Sequence, residues 1–155
     1  MLVHDLPAPD PDYDPISAEP ASGYQRLLGY RLVAWREDFA AVELVVARRH
    51  LNRSGVVHGG VITALLDAAC GYAVTYCPYR GRKRQALTLT LSTSYMGQTR
   101  EGVIRAEGVT RAGGRRIRFA GAQIRDARGN LLASGEGSFR LRGGSETLWG
   151  VARER

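Results

Sequence analysis

At 155 residues, 44% of them hydrophobic, the chain is long enough to bury one sizeable core and short for two domains. It holds no run of about 18 uninterrupted apolar residues, and the opening MLVHDLPAPDPDYDP lacks the basic start and apolar stretch of a secretory leader, so a cytoplasmic protein without a membrane partner is expected. The net charge of +7 favours anionic partners, but no nucleic-acid reader motif is present and few aromatics interleave the arginines, which sets nucleic acid aside and leaves phosphorylated small molecules.

Residues 1–22 hold five acids, no Lys or Arg, and all but one of the six prolines. They read as a disordered or loosely docked acidic arm, and the overall +7 therefore leaves +12 on the rest of the chain. Residues 27–46 give two β-rich runs around the polar break Arg36-Glu37-Asp38, a hairpin. After the loop RRHLNRSGV an apolar helix is predicted from His58 to about Tyr76, closed off by the basic loop CPYRGRKRQ with Pro78 and Gly81. Cys70 and Cys77 lie seven apart on that segment, too far round one helix to bond, and read as buried free thiols.

Four strand-like runs follow. Residues 86–96, ALTLTLSTSYM, alternate with period two: Leu87, Leu89 and Leu91 on one side, Thr88, Thr90, Ser92 and Ser94 on the other. Runs at 102–111, 115–125 and 130–142 are separated by the turn sequences Ala112-Gly113-Gly114 and Asp126-Ala127-Arg128-Gly129. With no βαβ alternation, the expected class is α+β: one long central helix wrapped by a curved antiparallel sheet of about six strands. A helix apolar on nearly every side needs such an enclosure.

One carboxylate, Asp67, interrupts the apolar stretch VITALLDAACGYAV. Burying an ionised acid without partners is expensive, so Asp67 is either tied to neighbouring hydroxyls or an arginine, or kept for chemistry. On a 3.6-residue period Gly60, Thr63, Asp67 and Gly71 fall near one stripe, a small-or-polar groove along the rod. Gly59 and Gly60 open the helix, where free amides and the positive end of the dipole make an oxyanion site that a substrate carbonyl can approach closely. Asn52 is a turn residue capping local backbone or an amide for substrate or water; His58 is a helix cap or a contact to the reacting oxygen. His50 reads as structural.

The stretch HLNRSGVVHGGVITALLDAACGY, with Asn52, then His58-Gly59-Gly60, then the helix acid Asp67, resembles the signature of the hotdog-fold acyl-CoA thioesterases of the PaaI-like, phenylacetic-acid-pathway branch. The likeness covers roughly residues 25–142 and implies a hotdog domain at 23–143 between the arm and a tail at 144–155. The Asp and His flanking Asn-Pro that mark hotdog hydratases are missing. The resemblance implies hydrolysis of a medium-chain or aryl-acetyl CoA thioester to the free acid and CoA, with no metal and no cofactor. In it, the Gly59 amide polarises the carbonyl, Asp67 acts as nucleophile or general base, and Asn52 and Gly59 of one subunit face Asp67 of its neighbour. Thr88 matches a hydroxyl that assists the acid in some relatives, whereas Gly71 stands where others place a hydroxyl one turn after the acid. For the CoA phosphates the family favours the region of Arg111, Arg115 and Arg116 over the cluster at residues 80–84. A homodimer at minimum, and a homotetramer, is implied. Tyr30, Trp35, Phe39, Leu65, Leu66, Tyr72 and Tyr76 are candidates for an acyl tunnel, core or dimer interface. Acyl-carrier-protein thioesters stay open as substrates. The alternative, a non-catalytic acyl-CoA-binding hotdog module, would be marked by loss of the acid or the glycine pair, and both are intact.

Overall fold

The computed structural model describes residues 6–154; the first five residues of the acidic arm and Arg155 lie outside them. The arm carries one helical turn, α1 (Pro15–Ala18), capped by the Asp14 carboxylate, which accepts from the Ile16 and Ser17 amides. Next come α2 (Gly23–Leu28) and the hairpin β1 (Arg31–Arg36) and β2 (Phe39–Val45). The hairpin turns at the predicted polar break, with Asp38 at φ 57°, a left-handed conformation that a short polar side chain tolerates. The strand does not reach back to Leu27. Ser22 accepts from the Gln25 amide and Gly29 ends α2 at φ 85°, so a cap at each end makes residues 23–28 helical.

The apolar segment forms α3 (Gly59–Thr75), with His58 as N-cap and Tyr76 as C-cap. It is followed by β3 (Arg82–Lys83), β4 (Ala86–Tyr95), β5 (Val103–Gly113), β6 (Ile117–Asp126), β7 (Leu131–Leu141) and β8 (Val151–Ala152). One six-stranded sheet runs in the order β1-β2-β5-β6-β7-β4, every neighbouring pair antiparallel. The class is thus the expected one: a single long helix packed on a six-stranded antiparallel sheet. The β5–β6–β7 meander fills the middle, and β4 crosses to the far edge beside β7.

One side of α3 gives Val61, Ile62, Leu65, Leu66, Ala69, Cys70, Ala73 and Val74 to the core, against Val42, Leu44, Ile104, Ala106, Ile124 and Phe139 of the sheet. Fully burying a Val, Leu, Ile or Phe side chain contributes about 1.5–3 kcal/mol, which makes this seam the main source of stability. Helix and sheet touch at Gly108, where a Cβ would stand 2.4 Å from the Ala69 carbonyl carbon and oxygen, so only glycine fits. Within one chain the helix is not enclosed all round. Gly60, Thr63, Ala64, Asp67, Ala68 and Gly71 form a partly exposed stripe beside the edge strand β4, small enough for another surface to approach.

Both ends of the chain converge on the loop after α3. Asp10 pairs with Arg80 at 3.1 Å and Glu19 pairs with Arg153, while β8 pairs with β3 and Trp149 packs edge-on against Tyr79, 4.9 Å between ring centres. Cys70 and Cys77 are buried free thiols, as expected, and burial pushes the Cys70 thiol up to about 12. Among the described residues, no helix is long and apolar enough to cross a membrane.

Candidate active site

The start of α3 leaves one donor unused. A helix has four N-terminal amides without intrahelical partners. Here His58 Nδ1 accepts from the Gly60 amide at 2.8 Å, and the His58 carbonyl accepts from Val61 at 2.9 Å and Ile62 at 3.3 Å. The Gly59 N–H alone has no acceptor among the described residues, at the positive end of a helix of 17 residues. His58 therefore acts as the cap, in the tautomer whose Nδ1 accepts, and Gly60 has its amide occupied.

Opposite this turn stands Tyr95. Its hydroxyl donates to the Gly59 carbonyl at 3.0 Å, so the 2.6 Å contact to Thr63 is a bond donated by the Thr63 hydroxyl. Tyr95 arrives there because β4 departs from strict alternation. Its pairing with β7 slips between Thr88 and Thr90, and a bulge reverses the faces beyond it. Thr88 faces α3, and past the bulge Thr93 and Tyr95 do so. Thr90 instead bonds Ser138 Oγ at 2.8 Å, and Ser92 and Ser94 turn to the opposite side of the sheet with Arg111 and Glu136.

Two turns along the open stripe, Asp67 accepts a hydrogen bond from Thr88 Oγ1 on Oδ1 at 2.8 Å, while Oδ2 has no donor among the described residues. The pair opens on a cleft of about 390 Å³ bounded by Tyr30, Tyr72 and Phe139. The strand–helix pair thus holds a partly buried carboxylate with one oxygen oriented and the other free. The wall beside it is rigid: Trp35 Nε1 donates to the Tyr72 carbonyl at 2.7 Å and the Tyr72 hydroxyl to Gln25 Oε1 at 3.1 Å. Burial raises the Tyr72 phenol well above its usual range, so it stays a neutral donor.

The other predicted residues are dispersed. Asn52 Oδ1 accepts from the Ser54 and Val56 amides at 2.9 and 3.3 Å, stapling its own loop and leaving its side-chain NH2 uncommitted. His50 is buried and structural: Nδ1 accepts from the Ala47 amide at 2.9 Å, and Nε2 donates to the Leu28 carbonyl at 2.8 Å. Arg111 lies on the sheet face turned away from α3, 3.6 Å from Glu136. Arg115 and Arg116 sit in the β5–β6 turn, where Arg116 comes within 3.8 Å of Glu146. Leu65 and Leu66 are core, and Phe39 shares the outer face with Val109 and Arg111. Tyr95 and Arg142 escaped the sequence reading, and Arg84, part of the basic cluster at residues 80–84 that ranked second for the CoA phosphates, lines the cleft with Arg142. Only the bulge brings Tyr95 to the helix, and nothing local distinguishes those arginines from others.

Residues 54–133 match the family profile described as the Thioesterase superfamily. The chain is 35% identical over 112 residues to a candidate esterase of Pseudomonas aeruginosa, covering 68% of this chain and 80% of that one. It is 37% identical over 76 residues to a candidate esterase of Archaeoglobus fulgidus, 49% of this chain but only 46% of that longer protein. Among solved structures, a conserved protein of Pseudomonas aeruginosa superposes with a TM-score of 0.71 at 31% identity, over 78% of this chain and 94% of that one. The PaaI protein of the E. coli phenylacetic acid degradation operon superposes with a TM-score of 0.70 over 80% and 87% of the two chains, and at 22% identity that likeness concerns the fold. Family profile, relatives and architecture converge: the chain belongs to the thioesterase superfamily, a thioester hydrolase of the hotdog fold.

Proposed function

We propose that the protein hydrolyses acyl-CoA thioesters, of medium-chain or aryl-acetyl type, to the free acid and CoA at a site built from two copies of the chain. The observation that carries this reading is the placement of the two unused groups on α3. The Gly59 amide and Asp67 Oδ2 are both free, but eight residues separate them, about 12 Å along the helix axis. An oxyanion donor and an attacking group must both lie within about 3 Å of the reacting atoms. One chain therefore supplies each half of a site, and a second copy completes it. The long edge strand β4 fits that assembly. Among the described residues it pairs only with β7 and leaves Leu87 and Leu89 exposed, an edge suited to pairing with its own copy. A homodimer is the minimum, a homotetramer its extension, and the cytoplasm the location.

In this site the Gly59 amide of one copy stabilises charge on the thioester oxygen while Asp67 Oδ2 of the other works on the carbon. Either the carboxylate attacks, the C–S bond breaks, the thiolate leaves and takes up a proton, and water cleaves the mixed anhydride; or the carboxylate takes a proton from the attacking water. Both routes consume one water and give one acid and one thiol. Thr88 fixes the carboxylate rotamer. His58 and Asn52 shape the amide turn, and Thr63 holds Tyr95 over Gly59. Arg115 and Arg116, exposed at a turn, are placed to meet the CoA phosphates, Arg116 by giving up its 3.8 Å pairing with Glu146; Arg111 serves only a nucleotide that runs over the outer sheet face.

The test is thiol release from a panel of acyl-CoA esters, short to long and phenylacetyl, by the wild type and by Asp67→Asn. Turnover that falls at least a hundredfold in the variant, with the dimer intact, is expected. No release from any ester, or unchanged turnover in Asp67→Asn, refutes the reading.

A further inference from the structure

The cleft beside Asp67 has a charge pattern that a plain acyl chain leaves unused. It follows α3 from Asp67 to Thr75, eight residues or about 12 Å, past Gly71, where a Cβ would meet no atom within 4 Å. At the helix C-terminal end stands Arg84. Its Nε donates to the Ser145 carbonyl at 2.9 Å and its Nη1 to the Tyr76 carbonyl at 3.0 Å, so the guanidinium is fixed, with Nη2 left over. Arg142 lines the same end, its amide bonded to the Gln85 carbonyl at 2.9 Å. Arg118, outside the cleft lining, is a third cation near Arg84. Thr88 and Arg118 both pair with Phe139, which places all three in one row across the helix-facing side of the sheet, and Arg118 Nε is buried without an acceptor.

No carboxylate forms an ion pair with Arg84, Arg118 or Arg142 among the described residues. Burial and the neighbouring Arg118 both lower the Arg84 pKa; Glu37 and Asp38 of the β1–β2 turn act on it only from a distance. A preorganised, desolvated guanidinium without a counter-charge is built to take a carboxylate, because little freedom remains to be lost when one binds.

We propose that the far end of this cleft receives the terminus of the acyl group and that the preferred acyl group ends in a carboxylate: the substrate class is the CoA monothioester of a dicarboxylic acid. The inference rests on the thioesterase reading of Asp67.

Binding of length-matched pairs tests it, hexanoyl-CoA against adipoyl-CoA and octanoyl-CoA against suberoyl-CoA, by calorimetry on the Asp67→Asn dimer. We expect a Kd at least tenfold lower for the dicarboxylic member of a pair, and loss of that preference in Asp67→Asn with Arg142→Met, the monocarboxylic Kd moving less than twofold. Equal Kd within both pairs, no binding of any of the four, or a loss in the Arg142→Met protein shared equally by both members, as contact to the CoA phosphates would give, overturns the proposal. Wild-type thiol release from the same four esters checks the underlying reading separately. Release from all four with equal Kd would sink the acyl preference alone, whereas a firm Kd preference without release would sink the hydrolytic reading and keep the site.

Discussion

Replacing Thr88 with Val removes the one side-chain hydrogen bond that Asp67 receives among the described residues, at 2.8 Å, and keeps the branched shape of the side chain. A hydrogen bond to a charged group is worth about 1.5–3 kcal/mol. If that bond holds the carboxylate in its reactive orientation, its loss raises the barrier by the same amount, a fall in kcat of about 10- to 150-fold at roughly 1.4 kcal/mol per decade. KM should change little, because Thr88 acts on the acid and not on the thioester. Stability should move within about 0.5 kcal/mol, since Thr88 is exposed and outside the core. The assay is steady-state thiol release in a double-mutant cycle of Thr88→Val and Asp67→Asn, with the melting temperature recorded for each protein. In the Asp67→Asn background Thr88→Val should cost nothing further, as the hydroxyl then has no carboxylate to orient. A fall of less than twofold in the single variant, or an equal fall in both backgrounds, would refute the argument that Thr88 works through Asp67.

Gly108→Ala drives a methyl group to 2.4 Å from the Ala69 backbone, and overpacking of this kind costs about 1–3 kcal/mol; a melting temperature unchanged from wild type would show that α3 does not rest on β5 as described. The thiols give a third check. Cys70 and Cys77 are buried and burial raises both pKa values, so a thiol-specific dye should titrate neither in the native protein and both after denaturation, and fast native labelling of Cys70 would contradict the packing of α3.

The reading from residues alone succeeded where the signal is local. The apolar run ending in Tyr76 became α3 with the bounds expected, because a helix-length apolar run and the residues that bound it lie within one stretch of chain. Asp67 stood out because an acid among Ala and Leu is costly wherever the helix packs. Ser22 and Gly29 were equally local signals for α2, but the Leu27-Leu28 pair reads as strand unless the caps are weighed first.

The pairing of distant strands decided the rest. Which way Thr88, Thr90 and Tyr95 point is set by a bulge against β7, and a period-two pattern carries no trace of where a partner strand slips. The same holds for the arginines: parity in β5 sends Arg111 to the outer face, while Arg84 reaches the cleft because it is held by carbonyls from Tyr76 and Ser145, the latter 61 residues away. Propensity, capping and the cost of a buried charge act over a few residues, so the long helix, the main strands and the identity of the acid are legible in the chain alone. Tertiary structure alone decided which amide stays free, which hydroxyl holds the acid and which cations face the cleft, since those depend on contacts between segments that no local pattern encodes.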